Sequence, residues 1–106
     1  MNRAMTILHT VNKSPFETSS LRTCLAYAMG GATLLLIEDG VYAAMRGTAV
    51  EADLSGALER IAICALGPDL SARGLDGDAV VDGVRVVGYD DFVDLAVSHD
   101  KVQAWL

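Results

Sequence analysis

The sequence predicts an α/β fold: a single three-layer sandwich of the flavodoxin-like type, with a mostly parallel sheet between helices. Three observations predict it. Residues 33–37 (TLLLI) and 61–66 (IAICAL) are continuous apolar runs without polar alternation, the pattern of strands covered on both faces. Such runs alternate with segments of helical period, which implies parallel strands joined by helical crossovers. The 106 residues carry no linker, repeat or low-complexity stretch, so one domain accounts for the chain.

Taken in order, residues 6–11 (TILHTV) read as the first strand. Ser14 is a good N-cap, Pro15 suits the first helical position, and Glu17 completes a capping box. Leu21, Leu25, Ala28 and Met29 then share one helical face, and Gly30-Gly31 ends the helix. After the second strand, at 33–37, Glu38-Asp39-Gly40 forms a turn, residues 41–45 a short helix and residues 53–60 a further one. Residues 61–66 make the third strand, broken by Gly67-Pro68. A helical turn at 69–73 follows, with Gly74 as its C-cap. Residues 84–87 (VRVV) form the fourth strand, and residues 90–98 the last helix, capped by Asp90 or Asp91. Residues 102–106 add a short edge strand. In such sheets, sites form at the carboxyl ends of strands, here residues 12–16, 38–41 and 67–69.

Composition narrows the function. Apolar residues make up 52%, above the roughly 45–50% of ordinary domains, which suggests that partner subunits bury some of them. The net charge is −6 and no Lys/Arg cluster occurs, so direct nucleic-acid binding through phosphates is not expected. An acidic chain can still belong to a complex that handles RNA through another subunit. No run reaches the roughly 18 apolar residues of a membrane span, and the N-terminus lacks a signal-peptide apolar region. The expected setting is the cytoplasm, with Cys24 and Cys64 as free thiols.

The usual catalytic signatures are missing. There is no phosphate-binding loop, no dinucleotide fingerprint, no nucleophile elbow and no C-x-x-C pair. No cofactor and no metal are implied, because neither histidine has neighbours at ligand spacing. His9 lies within a strand and reads as structural; His99 reads as solvated near a helix C-terminus. Glu38 and Asp39 stand where α/β sites form and could orient a ligand or carry a proton, but a turn is the preferred reading, with Asp39-Gly40 supplying its backbone geometry. Cys64, inside IAICAL, reads as a small apolar core residue. Cys24 lies on or beside the apolar face of the first helix, either packed or open to a partner. Nothing adjacent in sequence prepares it as a thiolate.

Four segments in register resemble the DsrH/TusB family: residues 8–16 (LHTVNKSPF), 34–44 (LLLIEDGVYAA), 66–75 (LGPDLSARGL) and 89–95 (YDDFVDL), with the closing VQAWL also fitting. The resemblance spans residues 5–106 as one domain and leaves 1–4 as an N-terminal extension. It implies a subunit of a sulfur relay. Such chains join DsrE/TusD-like and DsrF/TusC-like subunits in a heterohexamer that passes sulfane sulfur as cysteine persulfide to a downstream acceptor protein. The principal cysteine is expected on the DsrE/TusD-like partner. A cysteine on the first helix, within SLRTCL, leans the reading toward the DsrH branch of sulfur oxidation. It makes Cys24 the candidate auxiliary persulfide site. The TusB branch, serving 2-thiouridine at the tRNA wobble position, is the alternative, as is a purely structural role in either complex.

Overall fold

The structure, a computed structural model, describes residues 5–106; the expected extension at 1–4 lies outside them. Five strands form one sheet: β1 (Ile7–Val11), β2 (Thr33–Leu36), β3 (Ala62–Leu66), β4 (Arg85–Val87) and β5 (Lys101–Trp105). Their order is β4-β3-β2-β1-β5 and every pairing is parallel, so the edge strand expected at 102–106 is β5, paired with β1 along its whole length.

Helices α1 (Ser20–Tyr27), α2 (Glu51–Ala57) and α3 (Gly67–Ala72) connect the strands from β1 outward to β4, and α4 (Tyr89–Ser98) returns to β5. Right-handed crossovers place helices on opposite faces when the direction of travel reverses. The core divides accordingly. Leu21, Leu25, Leu54 and Leu70 pack on Val11, Leu34, Leu36 and Ile63 on one side of the sheet. On the other, Phe92, Leu95 and Ala96 of α4 cover Leu8, Leu35, Cys64, Leu66 and Val87. The α/β three-layer expectation therefore holds, with one layer made of a single helix.

The first helix starts later than its sequence signals suggest. The Ser14 carbonyl accepts from the amides of Glu17 and Thr18 (both 3.2 Å), and its hydroxyl accepts from Phe16 N, two residues on. This closes a lone turn. Thr18, Ser19 and Ser20 then interrupt helix growth, because short hydroxylated side chains compete for backbone groups; Thr18 Oγ1 accepts from Ser20 N (3.4 Å). Met29, expected on the apolar face, lies past the helix end and is exposed. Glu38-Asp39-Gly40 opens a 3-10 helix (Glu38–Ala44) rather than a simple turn. Gly67-Pro68 both ends β3 and supplies the first turn of α3, where proline's missing N–H costs nothing. Asp91 does cap α4, but from within its first turn, accepting from Gly88 N (2.9 Å).

Candidate functional site

Three strands end side by side at the carboxyl edge of the sheet, and the segments singled out above meet there. The 3-10 helix seats directly on β1. Ile37 N donates to the Val11 carbonyl (3.0 Å), and a Cβ on Gly40 would lie 2.1 Å from that same oxygen, so only glycine fits. Glu38 has φ +48°, the only left-handed non-glycine among the described residues. Its amide is held by Asp69 Oδ2 (2.6 Å) at the start of α3, and its carboxylate accepts from Asn12 Nδ2 (3.4 Å). Asp39 pairs with Arg73 Nε (2.9 Å), and Arg73 also donates to the Asp69 carbonyl (3.2 Å).

Asn12, Glu38, Asp39, Asp69 and Arg73 are thus brought together, but each carboxylate is spent on holding a strained segment in place. The cluster contains no histidine, thiol or hydroxyl to act as a nucleophile or base. Among the described residues no group of acidic, histidine or cysteine side chains could hold a metal. What the edge does chemically is to lock β1, β2 and β3 to the 3-10 helix and α3.

The thiols lie elsewhere. Cys24, with Leu21 and Leu25, faces the sheet from α1 and is fully buried. Burial pushes its pKa up to about 12, against the pull of the nearby Arg60 guanidinium. The helix face, rather than its edge, is where the sequence pattern's ambiguity resolves. Cys64 is buried under α4, as expected of IAICAL; burial raises its pKa, Arg85 opposes this and Asp91 adds to it.

Arg60, unremarked in the sequence, donates to the carbonyls of Leu25 and Ala28 and so ties off the C-terminus of α1. Reaching 32 and 35 residues back, these contacts leave no local signal. His9 is buried in β1, its Nδ1 taking a hydrogen bond from Trp105 Nε1 on β5 (3.0 Å), and burial lowers its pKa. Tyr27 closes this aromatic group edge-on against Trp105. His99 is not merely solvated: its Nε2 meets Thr33 Oγ1 (2.9 Å) and its Nδ1 the Leu95 carbonyl (2.7 Å), fixing the end of α4 to β2.

A family described as "DsrH like protein" matches residues 13–102. The chain belongs to the DsrH/TusB family. It is 39% identical over 99 residues to Protein TusB of Enterobacter sp. (strain 638), covering 93% of this chain and all of that protein. The Protein TusB sequences of Shigella flexneri and Escherichia coli (strain K12) are 38% identical with the same coverage. Among solved structures, the ychN protein from E. coli superposes with a TM-score of 0.84 at 21% identity, covering 95% of this chain and 99% of that one. MTH1491 of Methanobacterium thermoautotrophicum follows at 0.72 and 20%, covering 94% and 99%. These two likenesses concern the fold. No helix among the described residues is long and apolar enough to cross a membrane.

Proposed function

We propose that this member of the DsrH/TusB family is a structural subunit of a cytoplasmic sulfur relay. It completes a heterohexamer with DsrE/TusD-like and DsrF/TusC-like chains, while the sulfur itself travels on a cysteine of the DsrE/TusD-like partner to a downstream acceptor protein. The observation that carries this reading is the burial of both thiols, Cys24 and Cys64, each with its pKa raised. Persulfide exchange needs an accessible thiolate. The carboxyl edge of the sheet, where a small-molecule site would form, is occupied by its own Arg73–Asp39 ion pair and the hydrogen bonds that hold Glu38.

Of the two branches, the relatives named TusB favour the tRNA relay over sulfur oxidation, the branch toward which Cys24 leans the sequence. The acidic net charge of −6 fits either, provided another subunit meets the RNA. Removing this chain from its host and measuring 2-thiouridine at the tRNA wobble position separates them. Loss of the modified base supports the tRNA branch; normal thiolation with impaired sulfur oxidation supports the other.

A second reading keeps Cys24 as an auxiliary persulfide site, favoured by the Arg60 charge, which opposes part of the rise that burial imposes on its pKa. Intact mass of this subunit in the assembled complex, after exposure to a persulfide donor, distinguishes the two. A gain of one sulfur (about 32 Da) that vanishes in Cys24→Ser assigns the relay role. No gain here, with loading on the DsrE/TusD-like chain, assigns the structural one.

A further inference from the structure

Helix α4 is the only helix on its side of the sheet among the described residues, yet none of its ten residues is fully buried. Phe92, Leu95 and Ala96 meet the sheet. Tyr89, Val93 and Val97, four residues apart, form a second line along the helix and are 59%, 61% and 80% exposed. At about 100° per residue this line turns away from β4 and toward β5. There Val102, in register with Leu8 and so on the same face of the sheet, is itself 46% exposed. The helix flank and the edge strand thus both expose apolar side chains on this side of the sheet.

Along α4 the border of this apolar line is acidic. Asp90 and Asp94 are exposed along the outward flank, and the helix carries no lysine or arginine. Two consequences follow from charge. A second copy docked about a two-fold axis would set these carboxylates against themselves, on two chains each of net charge −6. A nucleic acid or anionic lipid surface would be repelled as well. The chemistry that fits is a protein face with an apolar centre and a border of lysine or arginine.

We propose that the line Tyr89, Val93 and Val97 seats a different protein chain of that kind, and that this partner is one of the DsrE/TusD-like or DsrF/TusC-like subunits. The inference rests on the reading of the chain as a subunit of their complex. The test co-expresses the full chain with both partner chains and follows assembly by native mass spectrometry and by association kinetics at several salt concentrations. Val93→Lys/Val97→Lys, at two exposed positions, is expected to keep the circular dichroism of the wild type and to bind roughly 100-fold more weakly, the effect of charging an interface centre. Asp90→Asn/Asp94→Asn leaves the capping Asp91 intact and is expected to slow association and flatten its salt dependence.

Assembly of the lysine pair at wild-type strength overturns the site while leaving the function reading in place. Unchanged salt dependence in the asparagine pair overturns the basic border. A wild-type chain that dimerises alone and becomes monomeric in the lysine pair makes a second copy the occupant instead. A wild-type chain that fails to assemble with either partner overturns both the function reading and this inference.

Discussion

The contact between His9 and Trp105 makes stability depend on pH in a calculable direction. An indole N–H can only donate, so His9 Nδ1 must accept and carry no proton, which leaves the proton of the neutral ring on Nε2. That second nitrogen is buried without a partner among the described residues. Protonation would set one N–H against another inside the core, and burial accordingly lowers the His9 pKa from 6.5. The unfolded chain therefore binds the proton more readily than the folded one. The stabilisation is fully present above pH 6.5 and is lost as pH falls from there through the folded pKa. One proton gives a slope of at most about 1.4 kcal/mol per pH unit in that window. Against the roughly 5–15 kcal/mol that hold a domain together, such a slope is measurable. Urea unfolding in steps between pH 7.5 and 5.5, where few carboxylates titrate, reads it directly. His9→Gln supplies an amide oxygen to the Trp105 N–H and does not titrate, so its stability should stay nearly flat across the same range. Equal slopes for the wild type and His9→Gln would refute the reasoning.

Other expectations follow from single contacts. Gly40→Ala drives a Cβ to 2.1 Å from the rigid Val11 carbonyl and should cost about 2–4 kcal/mol by urea unfolding. Gly67→Ala meets the movable Val86 side chain at 3.2 Å and the Val87 carbonyl at 3.3 Å, both far looser than the contact at Gly40, and should cost about 1 kcal/mol; a larger loss than at Gly40 would contradict this. Arg60→Ala releases two carbonyls at the end of α1 and should cost about 2 kcal/mol, with faster hydrogen exchange through Leu25 to Ala28; Arg60→Lys should recover only part, since one ammonium does not reproduce the planar fork. Raising the Cys24 pKa from 9.0 to about 12 cuts its thiolate about a thousandfold. Iodoacetamide should leave it unmodified in the native chain and label it on unfolding; native labelling at the rate of a free thiol would count against the buried placement.

The parts of the fold legible in the sequence are those with a local physical cause. TLLLI and IAICAL declared strands covered on both faces because nothing polar interrupts them, and the sheet order puts β2 and β3 inside the sheet. The start of α1 was misplaced because Ser14, Pro15 and Glu17 satisfy every helix-start rule. Whether a serine hydroxyl bonds two or three residues onward depends on the turn already formed, and Thr18-Ser19-Ser20 tipped that balance. The carboxyl-edge cluster was found as three separate segments, at 12–16, 38–41 and 67–69, without the knowledge that Asp69 holds the Glu38 amide. Periodicity placed Cys24 near an apolar face, but a helix face becomes core only through what packs on it. Here that is β1 and β2, together with the neighbouring α2. Arg60 and Trp105 act through tertiary neighbours alone, and no spacing along the chain announces them.

The pairing of β5 with β1 has a consequence for how the chain comes together. Ile7 lies opposite Lys101, and Thr6 is held by Asp100, 94 positions further along the chain. Loops of that span close late, because their entropy must be overcome before any contact forms. Until they close, β1 presents a bare row of amides and carbonyls, flanked by Leu8 and Val11, to any strand that passes. The interval before β5 arrives is the time during which an error in strand choice is open to this protein, and speeding that last pairing would shorten it.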